Sequence, residues 1–181
     1  MISLVSKSDL DNLKYIQDSI KNYTTWPQFV SEAQLLDVKA WLTDALLLEI
    51  VGQASTLPTT ISVHNQKLLD GGTYTYLSKT YYFQGLRNCI AYYAFARFTN
   101  RTSFNYTAAG VVLKDSDFST PATTKDIQRL ETEARLTADA IKCEVITFLD
   151  RNHDDYPLWA DKACGCGSRC GDSRPFIVLG D

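Results

Sequence analysis

Residues 81–98 read YYFQGLRNCIAYYAFARF. Seven of these 18 residues are aromatic, a third of the chain's 21, so this stretch marks where the apolar bulk is concentrated. From Gln84 onward the spacing predicts a helix over 84–99. Leu86, Ile90 and Tyr93 line one side, and Ala91, Ala94, Phe95 and Phe98 line the next. Only Gln84, Arg87, Asn88 and Arg97 offer polar groups. A helix that is apolar nearly all round is central in a bundle or is covered by something else. Alanines at 91, 94 and 96 let neighbouring elements approach closely.

Working outward, TYTYL and TYYF (73–77 and 80–83) alternate as β-prone runs around Ser78-Lys79 and predict a small hairpin. Residues 53–72 read as a connection, with QASTLPTT at one end and LLDGG at the other. Upstream, a long helix is expected from Pro27 to Val51, since proline suits a first turn. Phe29, Ala33, Leu36, Ala40, Leu47 and Val51 form its apolar stripe, Glu32, Lys39 and Asp44 face away, and Gly52 caps it. A first helix is expected over 6–21, capped by Ser6 or Ser8, with Leu10, Leu13, Ile16 and Ile20 at spacings of three and four.

Downstream, 100–120 reads as an irregular connection. A fourth helix follows Thr120 and Pro121 and runs to about Arg151, with Ile127, Leu130, Ala134, Ala138, Ile141, Val145, Phe148 and Leu149 at helical spacing. Glu131, Glu133, Arg135, Asp139 and Lys142 take its solvated side. The expected architecture is mainly α: a four-helix bundle over 1–156 with a hairpin inserted at about 73–83. An irregular Cys/Gly-containing arm follows over 157–181.

Composition is that of an ordinary globular chain: 181 residues, 45% hydrophobic, 22% charged and net charge −3. Mild acidity argues against a protein that grips nucleic-acid phosphates. No apolar run is long enough to span a membrane. MISLVSKSDLDNLKYI carries charges in every apolar run, so no export signal is read there and a soluble protein made in a cytoplasm is expected.

Catalytic signatures are absent: there is no GxxxxGKS, GxGxxG, HExxH or GxSxG. His64 and His153 lie far apart in sequence and read as solvated. Cys89, on the apolar helix, reads as a small core residue rather than a nucleophile, and Cys143 likewise. Cys164, Cys166 and Cys170 form C-x-C-x3-C between glycines. Three thiolates need one more ligand for tetrahedral zinc, which Cys143 or His153 would supply, but the spacing is not that of a C-x2-C knuckle. The alternative is a glycine-rich tail with reduced thiols. Asp154-Asp155 and Asp115-x-Asp117 read as solvated loops.

The ordered set of features resembles a family of neck proteins, the head–tail connectors of tailed phages, including crAss-like phages of Bacteroidales. The residues that carry the likeness are Glu32, Ala33 and Gln34, then Leu68, Leu69, Gly71, Gly72 and Tyr74. Gly85, Leu86, Ala91, Tyr92, Tyr93, Ala96 and Arg97 complete it. The resemblance spans roughly 5–150 and implies a connector-type helical bundle with no catalytic residue. It implies a virion protein, assembled in the host cytoplasm, that forms a ring of usually twelve copies under the portal. Such a ring extends the channel through which genomic DNA passes without sequence-specific binding, and joins the capsid to the next neck or tail component. Other rings of the neck, or a tail terminator, are the nearest alternatives, and a small zinc-containing binding module is a further one. Tyr92, Tyr93 and Phe95 are expected in the bundle core or at a subunit seam. Phe176, Ile177, Val178 and Leu179, in the arm's FIVLG, are expected to add a strand to a partner. No cofactor, resident metal or membrane contact is expected.

Overall fold

A computed structural model of the chain describes residues 2–6, 9, 13, 26–55, 61–102, 104–107, 110–113 and 123–160. The fold is mainly helical with two small antiparallel hairpins. Its centre is the helix read from YYFQGLRNCIAYYAFARF. That helix, α4, spans Leu86–Thr102, and Leu86, Cys89, Ile90, Ala91, Ala94 and Ala96 are all fully enclosed.

The expected helix from Pro27 to Val51 is not continuous. α1 covers Trp26–Glu32 and widens into a π-helical segment, Ala33–Val38. There the Lys39 N–H donates to Gln34 O at 3.0 Å, one residue wider than an α-turn. The chain then closes on Val38 O, which accepts from the N–H groups of Trp41 and Leu42, and both side chains turn inward. Thr43 starts a new helix, α2, over Asp44–Ser55, and its hydroxyl accepts from Leu46 N–H at 3.4 Å. This break resets the helical phase. Leu36 and Ala40, read as core, are exposed, and Gly52 lies inside α2 rather than capping it.

The stretch read as a plain connection over 53–72 contains α3, Val63–Asp70. Ser62 caps it by accepting from Asn65 N–H at 3.2 Å. Buried Asn65 ties α3 to α2 by donating to Glu49 Oε1 at 2.8 Å and Gln53 Oε1 at 3.1 Å. α3 ends at Gly71, where φ is +78°. Here two backbones touch. A Cβ on Gly71 would lie 2.6 Å from Phe83 O, and one on Gly85, at φ +85°, would lie 2.6 Å from Leu69 O. The chain therefore loops out between these glycines as a hairpin and returns to begin α4 beside the end of α3.

That hairpin pairs β1, Gly72–Tyr76, with β2, Lys79–Phe83, in the register Tyr74↔Tyr81. Its turn residues are Leu77 and Ser78, at φ +49° and +63°, one position before the expected Ser78-Lys79. Positive φ at both centres is what the right-handed twist of a two-residue hairpin demands. The inner face, Tyr74 and Phe83, lies on Phe148, with Phe83 stacked at 4.1 Å between ring centroids.

A second hairpin, β3 at Phe104–Thr107 with β4 at Gly110–Leu113, occupies the stretch read as irregular. The last long helix, α5, spans Thr124–Arg151 and packs along α4 as the most extensive helix pair. Thr123 and Asp126 form a reciprocal capping box, so the helix starts there rather than directly after Thr120 and Pro121, which lie outside the described residues. Every apolar residue expected on its inner face is buried except Leu130. A 3-10 turn, His153–Asp155, leads into α6, Pro157–Ala160. Residues 157–160, expected in the arm, belong to the folded body: Trp159 is buried and donates from Nε1 to Asp150 Oδ1 at 2.8 Å. Leu158 O accepts from the Thr43 hydroxyl at 3.0 Å, which fastens α6 to the start of α2. At the other end, Leu4, Val5 and Leu13 are buried, and Ser6 and Asp9 bond reciprocally as the expected cap. Most of the first expected helix, 6–21, lies outside the described residues.

The glycine crossing gives a sharp stability contrast. Gly71→Ala and Gly85→Ala each combine positive φ with a backbone overlap, and each should lose at least about 2 kcal/mol. Gly52→Ala, in the α2 interior with open space around it, should gain roughly 0.5–1 kcal/mol. Urea titration of the three variants beside the parent chain checks both signs.

Candidate functional site

α4 contains three arginines and no acidic residue, so its cations find their partners on other elements. Arg87 bonds Asp70 at the end of α3. Arg97 makes a two-pronged contact with Asp37 of the π-segment, Nε to Oδ2 at 2.7 Å and the second nitrogen to Oδ1 at 3.0 Å. It also lies 3.6 Å from Glu32 Oε2. Arg101 takes the other Glu32 oxygen at 2.6 Å. On the far side, Arg135 of α5 lies 3.6 Å from Asp37 and 3.0 Å from Glu131.

The result is an alternating chain of charge, Arg101, Glu32, Arg97, Asp37, Arg135 and Glu131, joining three elements at one seam. Its centre is shielded: the Arg97 and Asp37 side chains retain 15% and 12% of their exposure. The Asp37 bond, opposed by partial burial, holds the Arg97 guanidinium above its ordinary range. Glu32 and Arg135, read as solvent-facing, are members of this seam. Glu131 is only 19% exposed, because the seam shelters it.

Next along α4, the Tyr93 hydroxyl donates to Asp139 Oδ1 at 2.6 Å. Burial, and the hydrogen bond to that carboxylate, push its pKa up, so it stays a donor. Of the residues expected in the core or at a seam, Tyr93 is enclosed within a single chain. Tyr92 and Phe95 are half-buried against the core, and Phe95 stacks on Phe98. Phe176, Ile177, Val178 and Leu179 lie outside the described residues. Cys89 is fully buried, with its sulfur 3.5 Å from Ala138 O. Burial pushes its thiol pKa up and holds it protonated, which removes the thiolate a nucleophile needs.

One polar pair of the motif works differently. Gln34 is completely buried, and its amide bonds the N-terminal segment on both sides of Ser3. Its Oε1 accepts from Leu4 N–H at 3.0 Å, and its Nε2 donates to Ile2 O at 3.1 Å. Arg87 Nε donates to Leu4 O at 3.1 Å. Neighbouring Glu32 and Gln34 thus serve two separate networks from one widened helix.

His64 Nδ1 lies 3.6 Å from Asp155 Oδ2, and His153 Nε2 lies 3.1 Å from Asp154 Oδ1. The two histidines, remote in sequence, therefore each meet an aspartate of one 3-10 turn. Cys143, named above as a fourth zinc ligand, is disulfide-bonded and in that state offers no thiolate. Among the described residues no group of three metal-binding side chains converges. Cys164, Cys166, Cys170, Asp115 and Asp117 lie outside them.

Residues 38–169 match the model of DUF6712, a family of unknown function. The chain belongs to this family. No curated protein and no solved structure matches it. The DUF6712 match takes in the glycine crossing, the first hairpin, α4 and α5, and extends through Cys164 and Cys166. It begins at Val38, so Glu32 and Asp37, the acidic partners of Arg97, and Gln34, which binds the N-terminal segment, lie just before it.

The charge chain cannot be seen on any single helical wheel, because its members come from separate elements. The available signal was the composition of α4, whose arginines have no acidic neighbour at i±3 or i±4. Its energetics are directional. Arg97→Ala leaves Asp37 and Glu32 shielded without their central cation and should cost about 3–5 kcal/mol. Arg97→Lys should recover only part, because an ammonium cannot reproduce the two-pronged contact. Arg129→Ala, which removes an exposed i,i+4 pair with Glu133, should leave stability essentially unchanged in the same thermal and denaturant unfolding series.

Proposed function

We propose that the chain is a structural subunit of a tailed-phage neck: a head–tail adaptor that assembles as a ring under the portal. We read its helical body as a connector-type bundle, with the first hairpin inserted before α4 and a C-terminal arm beyond α6. The observation that carries this reading is how the motif residues are used. Gly71 and Gly85 make the backbone crossing. Glu32 and Arg97 neutralise each other. Gln34 binds the N-terminal segment, and Tyr93 bonds Asp139. A motif spent on internal geometry suits a component that must hold its shape under load, and it leaves partner recognition to surfaces.

Two further features support the reading. A net charge of −3 suits a channel wall along which DNA slides without adhering. Exposed apolar residues on the first hairpin, Leu77 at its tip and Tyr82 near its base, and on α5, Leu130 and Leu136, are available for repeating contacts. A heterologous contact repeated by rotation closes into a ring. The ring extends the DNA channel and presents a platform to the next neck or tail component. The same features serve a neck ring at another level.

Light scattering and negative-stain imaging of the purified chain, alone and with the portal ring of its phage, test the proposal. The expected result is a ring of about twelve times the 20.3 kDa chain mass, either unaided or on the portal. A chain that stays monomeric and leaves the portal unbound at micromolar concentration overturns it. A ring that forms but binds a tail-tube end instead of the portal moves the chain to the tail-terminator level.

A further inference from the structure

The first hairpin lies along α5 and runs off its end. The base of the hairpin sits at Glu144, whose carboxylate accepts from Gln84 N–H at 3.1 Å. Its middle rests on Phe148 through Tyr74 and Phe83. Its outer half meets Arg151, whose guanidinium covers the rings of Tyr76 and Tyr81 at 5.1 and 4.2 Å. The tip therefore leads beyond the last turn of α5, and there Leu77 is 78% exposed at φ +49°. An exposed branched residue in that conformation is strained, and strain of this kind collects where a side chain is used. The exposed leucines of α5, Leu136 and Leu130, lie the other way. From Arg151 back to them the helix axis runs about 22 and 32 Å, at about 1.5 Å per residue. The tip of a chain cannot reach its own Leu130 and Leu136.

We propose that the hairpin tip of one copy docks on the N-terminal half of α5 of a second copy, with Leu77 against Leu130 and Leu136. Charge selects this partner. Lys79, exposed beside the tip, is the only charged residue of the hairpin over 72–83. The α5 leucines stand in an exposed ridge of opposite sign. Leu130 has Asp126 and Glu133 as its neighbours at i−4 and i+3, and Leu136 has Glu133 and Asp139 at i−3 and i+3. Arg129, bonded to Glu133 at 2.9 Å, offsets one of these three carboxylates and leaves the ridge acidic. The other exposed leucines among the described residues lack this setting. Leu35 and Leu36 stand close to Lys39, whose charge repels the tip, and the carboxylate nearest Leu48, Asp44, is taken by Lys39 at 3.4 Å. Because tip and ridge are different surfaces at opposite ends of one helix, the contact is heterologous, and repetition gives a ring where the rotation closes. The inference deepens the adaptor reading by naming its repeated contact, and rests on that reading only for closure into a ring.

Two full-length variants disable one surface each. Leu77→Asn alters the tip and suits its positive φ better than leucine, so the hairpin keeps its fold. Leu130→Gln with Leu136→Gln alters the ridge with a good helix former at exposed positions. Circular dichroism checks both. In sedimentation velocity, alone and with the portal ring, each variant should associate with itself at least about ten-fold more weakly than the parent. An equimolar mixture should form one-to-one dimers that grow no further, because the intact tip of one chain meets the intact ridge of the other and the second contact is missing. Lys79→Glu and Glu133→Lys should each weaken association, and the two changes in one chain should restore it. A parent that assembles while both variants assemble equally well overturns the contact and leaves the adaptor reading standing. A mixture that grows like the parent also overturns it. Head-to-tail dimers and chains that ignore the portal support the contact and overturn the adaptor reading. A parent that stays monomeric at submillimolar concentration, with and without the portal, overturns both.

Discussion

The fold turns on a contact between two pieces of backbone. Gly71 and Gly85 pass each other at a separation that leaves no room for a Cβ on either, since Phe83 O fills one position and Leu69 O the other. Because the chain enters and leaves the hairpin through this crossing, the end of α3 and the start of α4 are fixed together. The hairpin has one way to lie, with Tyr74 and Phe83 down on Phe148. Arg151, at the last turn of α5, then donates to the Tyr74 hydroxyl at 3.0 Å and covers the Tyr81 ring at 4.2 Å. A steric condition at two glycines thereby sets where the far end of α5 docks, some sixty residues later in the chain.

The parts of this fold that could be read from sequence are those whose pattern is local. α4 and α5 repeat apolar residues over several turns, and β1 and β2 alternate, so period alone identifies them. The error over 27–51 has a physical origin. The apolar spacing continues through the region, but the backbone widens at Ala33–Val38, where Gln34 commits its amide to residues 30 and 32 positions earlier. Periodicity carries no information about such a bond. α3 is hidden for a different reason: eight residues with only Asn65, Leu68 and Leu69 buried give too short a stripe to register, although Ser62 and Gly71 mark its two ends. The second hairpin follows a stretch rich in threonine and asparagine, which reads as loop on composition.

The polar residues invert the usual assumption that charge on an amphipathic helix faces water. Glu32 looks solvated when α1 is drawn alone, yet it receives Arg97 and Arg101 from a helix more than sixty residues away. Alternation of sign is what makes the seam tolerable. Each group between the two ends, Arg101 and Glu131, has an opposite charge on both sides, and the chain reaches partial exposure at Arg101 and at Arg135, beside its other end. A single buried pair would balance desolvation against attraction with little net gain. A chain that emerges into solvent at its ends lowers the desolvation cost while still fixing the register of α1, α4 and α5. The seam is better understood as a device for uniqueness of packing than as a source of stability.

These two devices bear on what kind of work the molecule is built for. The residues that would draw attention as functional, an E-A-Q triplet, paired glycines, tyrosines and an arginine on an apolar helix, are absorbed into holding elements in register. Cys89 is sealed in the core, and the Tyr93 proton is committed to Asp139. The chemistry left on the outside is of another sort. Leu36 follows the π-segment's turn outward, Leu77 sits at a hairpin tip in a backbone conformation that disfavours its own side chain, and Leu136 stands on the free face of α5. A branched apolar residue held at positive φ on an exposed tip costs conformational energy that a glycine or asparagine there would avoid. Such a choice makes sense where the side chain is needed by something the turn touches. On the adaptor reading proposed above, that something is a large partner met by shape.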